Sequence, residues 1–177
     1  MSVEYGFLSR ELMPATYRAF MEAFSDYGVD MSRVTEDVFN KRATKNGIDY
    51  GCSVGAYDSG RMVGFTLVGV DAWMKELCAF DIATGVVKAH RGRGLAKGMF
   101  DALLPGLRAG GVKRLVLEVL RDNRAALKAY EKIGFRVTRE FECFEVSSDS
   151  VGLRKTVVPG LEIGPVSLVQ VSQFEPF

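Results

Sequence analysis

The chain has 177 residues, and its 47% hydrophobic and 25% charged content is that of an ordinary globular domain rather than a disordered segment. Lysine and arginine total 23 against 22 acidic residues, so the net charge of +1 lacks the basic excess of a dedicated nucleic-acid binder. A single histidine, His90, excludes a site with several histidine ligands, and we expect no metal.

Cys52, Cys78 and Cys143 are widely spaced and form no Cys-x-x-Cys pair. Together with the lack of a basic and then apolar leader, this pattern favours three free thiols and a cytoplasmic location. No run approaches the roughly 18 apolar residues of a membrane span, so we expect no membrane partner.

The first part of the chain predicts a strand, two helices and two strands, in that order, at 5–9, 16–27, 35–45, 52–57 and 62–70. The turn sequence Asp58-Ser59-Gly60 separates the last two segments and predicts an antiparallel hairpin.

The next part alternates strand and helix, with elements predicted at 77–87, 94–108, 114–120 and 124–133. A crossover helix joins the two strands, so they should be parallel. Gly85 inside the first strand predicts a bulge there or the close approach of another backbone. Pro105 should bend or end the first helix. Further extended runs are predicted at 135–146 and 166–171.

A glycine-rich loop, Arg91-Gly92-Arg93-Gly94-Leu95-Ala96, follows a predicted strand and opens a helix. Its glycines permit a tight turn, and the first N–H groups of the helix lack internal partners, so an anion is the natural ligand. The P-loop pattern is absent, and Gly98 stands one residue too late for a dinucleotide fingerprint.

The spacing of Arg91, Gly94 and Ala96 resembles the pyrophosphate-binding motif of the GNAT superfamily of acyl-CoA N-acyltransferases. A second pattern of that family, Leu-x-Val, Asn, Ala, Tyr and Gly-Phe, is matched at Leu117-Glu118-Val119, Asn123, Ala126, Tyr130 and Gly134-Phe135. The two patterns occur in the order found in the family, and the resemblance covers roughly residues 50–140.

This resemblance implies an α+β fold with a mixed, mostly antiparallel sheet of six to seven strands, about four flanking helices and a central parallel pair that splays apart. It implies a single domain over 1–177, with acceptor-side helices in 1–50 and the CoA-binding core in 51–140. The segment 141–177 would hold C-terminal strands and a tail, where we place a candidate homodimer contact.

For the donor, the resemblance implies that acetyl-CoA binds as co-substrate. Val86 and Val87 would hold it through main-chain atoms, and the loop from Arg91 through Gly92, Arg93, Gly94 and Leu95 to Ala96 would hold its pyrophosphate. Asn123 can cap the helix, bond the cofactor, or do both.

For catalysis, Tyr130 would contact CoA and donate a proton to the departing thiolate. Glu118 resembles the carboxylate base of ribosomal-protein alanine acetyltransferases in the family. Asp81, Glu76 and a water chain remain alternatives for that role.

For the acceptor, the family uses its first helices and the loop between them. Phe24, Asp26 and Tyr27 fall there, and Asp26 has the charge to attract a cationic amine. Trp73, before the central strand, is a further candidate. We therefore expect an N-acetyltransferase acting directly on a small-molecule or peptide amine, with a non-catalytic acyl-CoA sensor on the same fold as the alternative.

Overall fold

The computed structural model describes residues 3–73, 75–144, 164, 165 and 167. The chain divides into two compact units, Met1–Phe135 and Arg136–Phe177. All described helices and strands lie in the first unit. The partition of 1–177 at residues 50 and 140 stays a prediction.

Five strands form one sheet in the order β1 to β5: Glu4–Phe7, Val54–Asp58, Arg61–Trp73, Glu76–Val86 and Arg114–Leu117. The first four are antiparallel neighbours, whereas β4 and β5 run parallel, as predicted for strands joined by a crossover helix. The predicted α+β class with a mixed sheet is confirmed.

The described sheet has one or two strands fewer than predicted. No strand is assigned within 135–144, and the extended run expected over 135–146 stays a prediction. The remaining predicted strand, 166–171, and the proposed homodimer contact lie outside the described residues, apart from Ser167.

Among the described residues, four α-helices flank the sheet: α1 Met13–Ala23, α2 Glu36–Lys45, α3 Leu95–Ala109 and α4 Arg124–Ile133. The side chain of Asn123 caps α4 by accepting a hydrogen bond from the Ala126 N–H at 3.1 Å, as expected for an asparagine before a helix. Pro105 does not end α3, which continues to Ala109.

Two buried clusters hold the layers together. Phe20 and Phe39 from the first two helices pack with Phe65 of β3. Met99 and Phe100 of α3 belong to the second cluster, which includes buried residues of β2, β3 and β4. Each of these five side chains is at most 9% exposed, so burying them contributes much of the hydrophobic stabilisation of the unit.

A β-bulge lies at Ile82 in β4, since Leu67 pairs with Ala83 while Val68 pairs with Asp81. The bulge was expected at Gly85 instead. That glycine is required for a different reason: a Cβ there would lie 2.8 Å from the Phe65 ring across the sheet, so an aromatic side chain rather than a backbone approaches it.

Gly69 in β3 provides a test of the packing. A Cβ there would lie 2.7 Å from the Asn46 carbonyl oxygen, and backbone atoms move less easily than side chains. We expect Gly69→Ala to lower the free energy of unfolding by about 1–3 kcal/mol, the usual cost of overpacking. Urea denaturation measures this change.

Gly106→Ala is the matched control, because Gly106 lies in the exposed face of α3 with nothing within 4 Å of the added Cβ. Alanine is the better helix former, so this variant should gain about 0.5–1 kcal/mol. Equal unfolding midpoints for the two variants would contradict the packing described for Gly69.

Candidate active site

A gap opens in the sheet where β4 and β5 part. Their pairing runs from Cys78 with Arg114 to Asp81 with Leu117, whereas β4 itself continues to Val86. The main chain beyond Asp81 therefore lacks a β5 neighbour and has backbone groups available for another partner. This is the splayed parallel pair that the sequence predicts.

A cavity of about 220 Å³ lies at this gap. Five of the predicted site residues line it. Glu118 follows β5, Asn123 and Tyr130 belong to the cap and body of α4, and Phe24 and Tyr27 follow α1. Asp81 and Thr84 of β4 complete its polar surface. The fold thus brings the candidate catalytic residues to the lining of one partly open cavity.

Asp81 is the most buried charged residue of the cavity, with only 5% of its surface exposed. The Thr84 hydroxyl donates to it, with Oγ1 at 3.0 and 2.9 Å from the two carboxylate oxygens. The extra residue at Ile82 makes this contact achievable, since side chains three apart on a regular strand point to opposite faces.

Burial raises the pKa of Asp81 to about 7, because a charged carboxylate loses its hydration there. Hydrogen bonding from Thr84 and the interaction with Tyr130 act in the opposite direction and favour the charged form. The carboxyl group therefore changes its protonation state near neutral pH, where a general base is most effective.

Tyr130 projects from α4 toward the same carboxylate. Its ring packs edge-on against Phe100 and Phe135, with centroids 6.2 and 5.5 Å away. Burial, and next the negative charge of Asp81, raise the pKa of the phenol above its usual value. Tyr130 is therefore protonated at neutral pH and has a proton to donate.

Glu118 and Asn123 differ from Asp81 in exposure. Glu118 lines the cavity but is exposed, directly after the end of β5. Asn123 is half-buried, and its amide oxygen is used by the helix cap, which leaves its NH₂ group to donate into the cavity.

The predicted phosphate loop has the geometry of an anion site. Gly92 and Gly94 adopt φ values of 75° and 79°, a left-handed conformation that favours glycine. Gly94 caps α3 without a side-chain hydrogen bond, so no side chain at that position occupies the first N–H groups of the helix. Leu95 is buried and anchors the helix start, while Ala96 is half-buried.

The arginines of this loop have different environments. The Arg91 guanidinium bonds to Asp26 and to two backbone carbonyls, so its donors are engaged within the protein although the side chain is 42% exposed. Arg93 is exposed and forms no ion pair within 4 Å among the residues that the structure describes. Arg93 is thus the loop arginine whose charge is available to a ligand.

The C-terminal end of β4 and the residue that follows it are held by hydrogen bonds within the protein. The Val87 N–H donates to the Val63 carbonyl at 2.9 Å, and its own carbonyl accepts from the His90 N–H at 2.8 Å. The Val86 carbonyl accepts from Arg91 Nε at 3.1 Å. Residues 82–84 line the cavity, and among them the Ala83 backbone N–H donates to the Asp81 carboxylate.

The predicted acceptor residues do not all lie together. Phe24 and Tyr27 line the central cavity and also an adjoining groove of about 430 Å³ formed with the loop that follows α1. Asp26 is paired with Arg91, and its pKa is lowered chiefly by that hydrogen bond. Trp73 lies where β3 turns into β4 and lines neither cavity.

Sequence reasoning understated Asp81 and missed Thr84. An aspartate inside the apolar run 77–87 was the available signal, because an unpaired charge in a buried strand is costly. Among the described residues there is no cluster of three or more metal-ligating side chains. Nor does any described helix have the length and hydropathy to cross a membrane.

Comparison with known proteins gives consistent matches. A family model described as the acetyltransferase (GNAT) family matches residues 11–135. The chain is 39% identical over 61 residues to a mycothiol acetyltransferase of Corynebacterium glutamicum (strain R), a match that covers 34% of this chain and 21% of that protein. It is 32% identical over 81 residues to N-alpha-acetyltransferase 30 of Schizosaccharomyces pombe, covering 45% of this chain and 54% of that protein.

Among solved structures, the ribosomal-protein-S18-alanine N-acetyltransferase of Escherichia coli superposes with a TM-score of 0.65 at 21% identity, covering 84% of this chain and 87% of that one. At this identity the likeness concerns the fold alone. The matched segments span about a fifth and about half of the lengths of the two curated relatives.

Proposed function

Because the chain belongs to the acetyltransferase (GNAT) family, we propose that it moves an acetyl group from acetyl-CoA to a primary amine by direct transfer. The observation that carries this proposal is the pairing of a buried carboxyl group of pKa about 7, Asp81, with a protonated phenol, Tyr130, in one cavity at the splayed strand ends. A base and an acid are the two groups that direct amine acylation needs.

The residues present fit acetyl-CoA, which supplies an activated acyl thioester when bound. In our proposal the N–H groups of residues 92–96 hold the pyrophosphate, because they combine a helix N-terminus with glycines at positive φ. Arg93 adds charge. In this proposal Arg91 supports the loop rather than the pyrophosphate, since its guanidinium and its N–H are already bonded within the protein.

For the pantetheine arm, the open main chain of 82–84 and the Asn123 amide are the proposed partners. In this proposal Val86 and Val87 do not contact the donor themselves. They hold the end of β4 in place through their hydrogen bonds to Arg91, Val63 and His90. In our proposal a backbone N–H of this segment other than that of Ala83, which bonds the Asp81 carboxylate, polarises the thioester carbonyl as in an oxyanion hole.

We propose Asp81 rather than Glu118 as the principal base. Asp81 is buried and held by Thr84, whereas Glu118 is exposed and has no comparable constraint. A base must be held within reach of the amine proton, and burial tunes its pKa toward neutrality. Tyr130 gives its proton to the departing thiolate.

The acceptor would lie in the groove that shares Phe24 and Tyr27 with the cavity. Its lining combines apolar residues, among them Met21, Val29 and Met31, with the polar side chains of Ser25, Asp30 and Ser32. Asp26 is paired with Arg91, so Asp30, whose pKa is lowered chiefly by the hydrogen bond from the Ser32 N–H, is the one carboxylate in the groove lining without a basic partner within 4 Å among the described residues. We therefore favour an amine with one positive charge and an apolar arm.

The decisive experiment follows free thiol release from acetyl-CoA by the full chain with a panel of amines. The panel compares 2-phenylethylamine and a peptide with an N-terminal methionine against spermine, a polycation. Faster release with the apolar monoamines supports the proposed acceptor class, and a preference for spermine overturns it. Binding of acetyl-CoA without thiol release on any amine supports the sensor alternative.

Arg93 offers a test of the phosphate site. Because its guanidinium has no ion pair in the described structure, Arg93→Ser should weaken acetyl-CoA binding roughly fivefold, since an exposed ion pair contributes ~1 kcal/mol. It should also reduce the salt dependence of the Kd. Isothermal titration at two ionic strengths measures both effects.

The matched control is Arg108→Ser, which removes the same charge at the opposite end of α3. The Kd of this variant and its salt dependence should stay at the wild-type values. If the two variants behave alike, the loop arginine has no specific role in holding the donor.

A further inference from the structure

The side chain of Arg91 bridges three separate parts of the fold. Nη1 and Nη2 donate to the two carboxylate oxygens of Asp26 at 2.9 and 2.8 Å. Nη2 also donates to the Ala23 carbonyl at 2.6 Å, and Nε donates to the Val86 carbonyl at 3.1 Å. Only a guanidinium has enough donors in one plane for this set of bonds.

These contacts connect the donor loop with the acceptor wall. Ala23 is the last residue of α1, and its carbonyl belongs to the last turn, where carbonyls lack helical partners. Asp26 lies in the segment that follows. Between and beside these two contacts lie Phe24 and Tyr27, which line both the central cavity and the adjoining groove.

We propose that Arg91 and Asp26 are positioning residues that couple the two substrate sites. Arg91 sets the place of Phe24 and Tyr27 through Asp26 and Ala23, while its own main chain belongs to the phosphate loop. Contacts of the donor with the main chain of that loop are thereby transmitted through the Arg91 side chain to the acceptor wall. This inference rests on the proposed function of the site.

The first test is Asp26→Asn, analysed by steady-state kinetics on the full chain. The variant keeps the size of the side chain and removes its charge, so the KM for the amine should rise about five- to tenfold, in line with a weakened charge-assisted pair. The KM for acetyl-CoA and kcat should change less than about twofold, because neither residue's side chain touches the reacting atoms.

Arg91→Lys tests the geometry of the bridge. Lysine keeps the positive charge but cannot reach two carboxylate oxygens and two carbonyls together, so it should raise the KM for the amine at least as much as Asp26→Asn. Since the two residues act as a unit, the double variant should be no worse than Arg91→Lys alone. Asp26→Glu, which keeps the charge, should recover part of the loss.

Glu22→Gln is the matched control. Glu22 lies in the last turn of α1 and pairs with Arg61 of β3, so it ties the same helix end to the sheet without reaching the donor loop. Its loss should leave both KM values unchanged. A similar rise in the amine KM in this control would show a general loosening of α1 and overturn the proposal.

Hydrogen exchange separates this inference from the proposed function. In the wild type, CoA should slow amide exchange in 24–28, and in Asp26→Asn that protection should be lost while the affinity for CoA is kept. This measurement needs no turnover, so it decides the coupling even if no amine is acetylated. If CoA protected 24–28 equally in Asp26→Asn and the wild type, or if Asp26→Asn raised only the KM for acetyl-CoA, the proposed coupling would be overturned.

Discussion

Replacing Asp81 by asparagine should lower kcat by about 10²- to 10⁴-fold, the usual contribution of a general base. Asparagine has nearly the same shape and can keep a hydrogen bond with the Thr84 hydroxyl, which lies 2.9–3.0 Å from the carboxylate. It cannot take up a proton from the amine. The loss should therefore appear in kcat, with little change in the KM for acetyl-CoA.

The pH profile supplies a second measurement of the same change. With the pKa of Asp81 near 7, the wild-type kcat/KM should rise with pH through about 7, because only the deprotonated carboxylate is a base. Asp81→Asn should remove that rise. Glu118→Gln is the comparison variant and should keep it. A profile lost in Glu118→Gln and kept in Asp81→Asn would assign the base to Glu118.

Asp81 should also make the protein less stable at alkaline pH. Its folded pKa lies above the ordinary value of 3.8, so the folded state binds the proton more tightly than the unfolded state. The stability that this proton provides is complete below about pH 4 and is lost as the pH rises through about 7.

A shift of about three pKa units corresponds to a stability change on the order of 4 kcal/mol. Asp81→Asn should thus unfold at higher denaturant than the wild type at pH 8, and at a similar concentration at pH 4. A variant that is less active but more stable is expected where a buried, poorly hydrated charge serves catalysis. Equal stability of the two proteins at pH 8 would contradict the burial of a charged carboxylate.

The parts of the site that sequence predicts are those in which neighbouring residues determine the conformation. The loop at 91–96 is an example. A glycine before a helix has no side chain to cap it, so the first N–H groups of the helix stay without a partner from that position. The Asn123 cap and the closing Gly134 of α4 are two more. The parallel pairing of β4 and β5 was also predictable, because two neighbouring strands joined by a crossover helix run in the same direction.

The relations that sequence did not predict are tertiary or depend on register. One unpaired residue at Ile82 decides that Asp81 and Thr84 share a face, and nothing in a run of apolar residues fixes where a bulge falls. The Arg91 and Asp26 pair joins positions 65 residues apart, so the motif could not reveal that the guanidinium of this arginine is bonded to Asp26. The base was left open for the same reason, because our proposal of Asp81 rather than Glu118 rests on the difference in their burial, which is a tertiary property.

Tyr130→Phe is the second change with a large expected effect, a loss of about 10²-fold or more in kcat. Phenylalanine keeps the edge-on packing against Phe100 and Phe135, so the fold and the cavity should survive. Only the proton donor is removed, and the thiolate must then leave unprotonated. Circular dichroism and CoA affinity check that the variant is folded.

The leaving group gives the sharpest measurement. A thiol that leaves easily without a proton needs the acid less, so the deficit of Tyr130→Phe should shrink when acetyl-CoA is replaced by an acetylated CoA analogue of lower thiol pKa. With the same analogue, the loss of kcat in Asp81→Asn should stay unchanged, because that variant lacks the base rather than the acid. A leaving-group effect of equal size in both variants would mean that Tyr130 does not act as the acid.

The combination of the two variants tests whether base and acid work together. Asp81 and Tyr130 face each other, and the negative charge of Asp81 contributes to the raised pKa of the phenol. A proton taken from the amine by Asp81 can therefore replace the one that Tyr130 gives to the thiolate. Groups that act as such a unit are strongly non-additive. The double variant should be about as slow as the slower single variant, whereas multiplied losses would show two independent steps.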